Sequence, residues 1–97
     1  MSSLQLPAQV TPGEIVAIAR RFGARNVRLF GSRAIGQARD DSDLDLIVDL
    51  DPGRDLIDLV ALKQALEERT KARVDVLTEP ALSPYLRDDI LRQAIPL

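Results

Sequence analysis

"LFGSRAIGQARDDSDLDLIV", residues 29–48, carries the features on which the reading of this chain turns. An apolar run ends at Phe30 in a Gly-Ser pair, Gly31-Ser32. Ten residues later Asp43 and Asp45 open a second run. Aspartate is depleted in strands, yet "DLDLIVDL", residues 43–50, alternates cleanly. Leu44, Leu46, Val48 and Leu50 share one face; Asp43, Asp45, Ile47 and Asp49 share the other. The pattern predicts a strand with one face on a core and carboxylates on the other, reached from a glycine turn at the end of a preceding strand, residues 25–30.

Helices and a third strand flank this pair. Thr11 is a good N-cap, with Pro12 at the first helical position and Glu14 placed to close a capping box. Ile15, Ile18, Ala19 and Phe22 then follow helical spacing, and Gly23 suits the stop. Residues 33–37 read as a helical turn and "QARDDS" as a polar loop. Asp51-Pro52-Gly53 is a turn, followed by a helix over 55–69 with Leu56, Leu59, Val60, Leu62 and Leu66 as its buried stripe. "RVDVLT", residues 73–78, reads as a strand with Val74 and Val76 inward and Asp75 outward. Ser83-Pro84 starts a last helix to about Gln93, burying Leu86, Ile90 and Ala94. Residues 1–10 read as a loose arm. The expected class is α/β (α+β): one domain over 1–97, a small mixed sheet with helices packed largely on one face.

Residues i and i+2 of a strand point the same way, so Asp43 and Asp45 lie side by side, where like charges repel. A divalent cation removes that penalty, and Mg²⁺ prefers hard oxygen ligands. If the third strand neighbours the second, Asp75 joins them, and three carboxylates can hold two Mg²⁺ ions for phosphoryl or nucleotidyl transfer. Asp75 would then help to deprotonate the attacking hydroxyl. Gly31 lets backbone approach a ligand. Ser32 heads a turn suited to an anion, and Arg33 adds charge there. Gly31, Ser32 and Arg33 are the expected triphosphate contacts, although no P-loop sequence is present. Asp49 and Asp51, a similar pair, read as a solvated acidic face.

Composition narrows the chemistry. The chain has no Cys and no His, which excludes thiolate catalysis, Ser–His triads and disulfides. A net charge of −2 and 3% aromatic content argue against direct nucleic-acid binding. No apolar run approaches the roughly 20 residues of a membrane helix. "MSSLQLPAQ" lacks the regions of a signal peptide, so the expected location is cytoplasmic.

"GSRAIGQARDDSDLDL" resembles the signature of the polymerase-β-like nucleotidyltransferases: Gly-Ser, ten residues, Asp-x-Asp. Gly31, Ser32, Asp43 and Asp45 match it without insertion, and "RVDVL" is similar to the strand that carries the family's third carboxylate, here Asp75. The short chain and its ending "ALSPYLRDDILRQAIPL" resemble the minimal nucleotidyltransferase (MNT) subgroup. That resemblance implies an antitoxin that transfers AMP from ATP to a hydroxyl, usually a tyrosine, of a cognate HEPN-domain toxin in a hetero-oligomer. A chain without a second lobe should have an open site, which suits a large acceptor. Two alternatives stand beside it. One is an antitoxin that neutralises its partner by contact alone, through the last helix, Tyr85 and the apolar tail Ile95–Leu97. The other is a nucleotidyltransferase acting on a small molecule.

Overall fold

Thr11 opens the first helix with a closed capping box: its hydroxyl accepts the Glu14 N–H at 3.1 Å, and Glu14 Oε1 accepts the Thr11 N–H at 3.3 Å. The computed structural model describes residues 5–97; residues 1–4, the beginning of the expected arm, lie outside the described residues. Helix α1, Pro12–Arg21, buries Ile15 and Ala19 and gives way at Gly23, whose φ of +74° a side chain would disfavour. Strand β1, Ala24–Phe30, carries a bulge between Arg25 and Arg28, with Asn26 in the left-handed region. The extra residue lets Ala24 and Val27, three apart, both face the core beside Leu29.

Strand β2, Leu44–Leu50, runs antiparallel to β1, with Leu29 opposite Leu46 and Phe30 opposite Asp45. Helix α2, Leu56–Thr70, then makes the crossover that a parallel neighbour requires. Strand β3, Val74–Leu77, lies parallel to β2, placing Val74 beside Leu44 and Asp75 beside Asp45. Helix α3, Arg87–Gln93, leads to a short strand β4, Ile95–Pro96, which pairs antiparallel with β1. The sheet order is β3-β2-β1-β4. Helices α1 and α2 pack on the face that carries Leu29, Leu44, Leu46 and Val74, all fully buried with Ile15, Leu62 and Leu66. Burying each such side chain contributes about 1.5–3 kcal/mol. On the opposite face Ile47 is also fully buried, where the 3-10 turn Glu79–Ala81 lies against β2. No helix among the described residues is long and apolar enough to cross a membrane.

Four sequence expectations need correction. Residues 5–10 are docked rather than loose: Pro7–Gln9 form a 3-10 turn, Val10 is buried in the core, and the Gln5 N–H donates to Arg33 O at 3.2 Å. The stretch has no periodicity to reveal this. Residues 33–37 form turns rather than a helix. Helix α2 is buried from its middle onward, at Leu62, Leu66 and Thr70, and Leu59 packs partly buried on the core as expected, whereas Leu56 and Val60 are 71% and 46% exposed. An apolar stripe marks a face but not how far the neighbouring elements extend beneath it. The last helix starts later than Ser83-Pro84, leaves Leu86 exposed, and buries Ile90 and Ala94 only in part. The tail beyond it includes the fourth strand, with Ile95 and Leu97 partly buried against the core, whereas Tyr85 and Leu86 remain exposed. Proline is tolerated there because β4 lies at the sheet edge.

Candidate active site

Parallel pairing of β2 with β3 does what the sequence could only suppose. Asp45 and Asp75 stand at the same level of adjacent strands, on the face away from the main core. Asp43 precedes β2 by one residue. One carboxylate oxygen from each of Asp43, Asp45 and Asp75 lies within 4.8 Å of the others. Asp43 and Asp45 are partly buried and Asp75 is exposed, so the cluster opens to solvent on the β3 side.

The crowding has an electrostatic consequence. Asp45 is pushed up to about 6 by burial first, then by the charges of Asp75 and Asp43 and a hydrogen bond with Asp75, against a smaller opposing pull from Arg33. Three oxygen donors this close, one of them reluctant to ionise, in a chain with no His or Cys, suit a hard divalent cation.

The glycine turn backs directly onto this cluster. Gly31 has a φ of +76°, and a Cβ at that position would run into Asp45 Oδ2. Glycine is therefore required twice, for the left-handed backbone and for the close approach. The turn is held by the Ala34 N–H donating to Gly31 O at 3.0 Å and the Gln37 N–H to Ser32 O at 3.0 Å. Ser32, which follows Gly31, is half-buried, and its hydroxyl has no hydrogen-bond partner among the described residues.

Arg33 is placed differently from expectation. Its side chain is buried, and its guanidinium is committed to backbone carbonyls: Nε and Nη2 donate to Ser42 O at 3.1 and 2.8 Å, Nη2 also to Asp40 O, and Nη1 to Gln5 O. A guanidinium so occupied is not aimed at a phosphate. Composition favours an exposed arginine there, and no local signal in the sequence distinguishes a buried one. Asp49 and Asp51 stand apart from the cluster. Asp51 pairs with Arg25 at 3.0 Å, and Asp49 pairs with Arg28 at 3.2 Å and accepts from Asn26, so this face is ion-paired rather than merely solvated. Sequence reasoning also passed over Gln5 and Ser42. The Ala38 N–H donates to Gln5 Oε1, and the Arg39 N–H donates to Ser42 Oγ at 2.7 Å, so both brace the loop before Asp43. A Ser one residue before an Asp-x-Asp, able to cap its own loop, was the available signal.

The family model for the nucleotidyltransferase domain matches residues 15–97. A putative protein adenylyltransferase of Methanocaldococcus jannaschii is 39% identical over 84% of this chain and 88% of its own length. The solved structure of a putative minimal nucleotidyltransferase superimposes with a TM-score of 0.78 at 49% identity, covering 89% of this chain and 88% of that one. A toxin–antitoxin crystal structure with AMP-PNP shares the fold, with a TM-score of 0.76 at 24% identity over 90% of this chain and 72% of its counterpart.

Proposed function

Because the chain belongs to the nucleotidyltransferase domain family, we propose that it transfers AMP from ATP to a hydroxyl, a tyrosine in the first instance, on a HEPN-type toxin that it thereby neutralises. The observation that carries this reading is the carboxylate cluster of Asp43, Asp45 and Asp75 set against the Gly31 turn. Support for a protein acceptor comes from the adenylyltransferase relative, and support for a toxin partner from the shared fold of the toxin–antitoxin structure with AMP-PNP.

In this reading Asp43, Asp45 and Asp75 would hold Mg²⁺, and when bound the ion would supply charge neutralisation at the triphosphate and at the acceptor oxygen. Gly31 brings backbone close to the triphosphate, and Ser32 donates its hydroxyl to a phosphate oxygen. The acceptor oxygen attacks the α-phosphorus, the bond from that phosphorus to the α–β bridging oxygen breaks, and pyrophosphate leaves. Asp75, the most exposed of the three, receives the hydroxyl proton. Asp75 is exposed while Asp43 and Asp45 are partly buried, which leaves the cluster open to an acceptor presented by another protein on that side. The companion toxin supplies the remaining walls and the nucleophile.

The test is label transfer from α-labelled ATP with Mg²⁺ and the candidate toxin, alongside Asp43→Asn/Asp45→Asn. Label on the toxin that disappears with the double variant supports the reading. Protection of the toxin by both forms without label would favour neutralisation by contact instead.

A further inference from the structure

Arg33 joins the two halves of the site. In the chain it follows Ser32, the expected triphosphate contact. In space its guanidinium holds Ser42 O, the carbonyl immediately before Asp43, through two nitrogens at 3.1 and 2.8 Å. The same Nη2 reaches Asp40 O at 3.3 Å, and Nη1 reaches Gln5 O at 3.3 Å. The Gln5 N–H returns a bond to Arg33 O at 3.2 Å. Asp43 needs such support. It lies outside β2, which begins at Leu44, so the ladder does not fix it directly. Asp45, by contrast, sits within the ladder opposite Phe30 and Asp75.

We infer that Arg33 is a positioning residue that sets the distance between the Gly31-Ser32 turn and Asp43 by clamping the loop carbonyls of Asp40 and Ser42. This inference rests on the nucleotidyltransferase reading of the same site. A planar fork suits that role, because Nε and Nη2 grip one carbonyl while Nη1 reaches another stretch of chain. A lysine ammonium keeps the charge but cannot hold that geometry. Arg33 is buried, at 3% exposure, and the bonds it makes to the loop carbonyls are themselves partly buried.

The expected consequence is specific. Partners that orient a metal ligand typically change metal affinity by about 10–100-fold when removed. Arg33→Lys should weaken Mn²⁺ binding about tenfold, while kcat at saturating Mn²⁺ stays within about threefold of wild type, because a bound cation draws Asp43 back into place. Binding is read by the paramagnetic signal of free Mn²⁺ with no nucleotide, and transfer is read separately across a Mn²⁺ series. Arg33→Ala is measured in parallel with and without millimolar guanidinium, which should restore part of the lost Mn²⁺ affinity. Thermal melts of each variant establish that it is folded, and if Arg33→Lys is not, the guanidinium response of Arg33→Ala decides.

Unchanged Mn²⁺ affinity in a folded Arg33→Lys would overturn the inference. So would a kcat loss that excess Mn²⁺ does not recover, or an Arg33→Ala defect indifferent to guanidinium. Asp45→Asn separates this from failure of the broader reading. If Asp45→Asn binds Mn²⁺ as well as wild type, the carboxylates are not the cation site at all. If it does not bind while Arg33→Lys matches wild type, only the role of Arg33 is lost.

Discussion

Asp45→Asn should make the cation-free protein more stable while removing its activity. The Asp45 carboxyl is raised from 3.8 to about 6 in the fold, chiefly by burial and by the charges of Asp75 and Asp43. Above pH 6 the folded state must therefore hold an ionised group that it disfavours. At about 1.4 kcal/mol per pKa unit the full cost is about 3 kcal/mol, and partial solvent access reduces it to about 1–3 kcal/mol. Asparagine carries no charge at any pH, and its Nδ2–H can donate to Asp75. The stabilising effect of protonating Asp45 is fully present below about pH 4 and lost as pH rises through about 6. The variant's advantage follows the opposite course: full at pH 8, shrinking through pH 6, and absent near pH 4. For a domain of this size each kcal/mol moves Tm by about 4–8 °C, so a gain of about 4–24 °C is expected at pH 8. The assay is thermal unfolding by circular dichroism in EDTA from pH 4 to pH 8, wild type against variant, so that other titrating groups cancel. A variant that melts no higher than wild type at pH 8, or that keeps the same advantage at pH 4.5, would refute the reasoning.

Mg²⁺ should raise the Tm of wild type at pH 8, by linkage of about 2.7 kcal/mol at a hundredfold excess over Kd, and leave Asp45→Asn unmoved; calorimetric scans with and without EDTA measure both. Gly31→Ala forces a side chain into a φ of +76° and against Asp45 Oδ2. A loss of about 1–3 kcal/mol is expected from the denaturant midpoint, together with reduced transfer. Leu46→Ala removes a fully buried side chain from the centre of β2 and should cost about 2–5 kcal/mol, which urea titration would show. Thr11→Ala opens the capping box of α1 and should cost about 1 kcal/mol by the same measurement, without altering transfer.

What the sequence disclosed depended on the physical range of each signal. The capping box at Thr11, the alternation of residues 43–50 and the inward valines of β3 are local patterns, and each is found where expected. The meeting of Asp75 with Asp45 is non-local. It needed the parallel register of β2 and β3, which the periodicity of neither strand contains. Helix α2 shows the same limit from the other side. Leu56 and Val60 satisfy the helical repeat as well as Leu62 does, but they are exposed while Leu62 and Leu66 are buried and Leu59 is partly covered. Two-residue β4 is too short for any alternation to show, and its pairing comes from the neighbouring β1 edge. Arg33 marks the largest gap. A cation beside a presumed phosphate site invites a phosphate contact, and only its burial and its bonds to Ser42 O and Gln5 O show that it holds the chain instead.

The central claim is nucleotidyl transfer to a protein hydroxyl, and the position of the label tests it most directly. Parallel reactions with α-labelled and γ-labelled ATP, Mg²⁺ and the candidate toxin would be resolved into protein and pyrophosphate fractions. The account predicts that the α label is found on the toxin and the γ label in pyrophosphate, with both products lost in Asp43→Asn/Asp45→Asn. A γ label on the toxin would mean phosphoryl transfer, and release of pyrophosphate without label on the toxin would mean a different acceptor; either result would contradict the account.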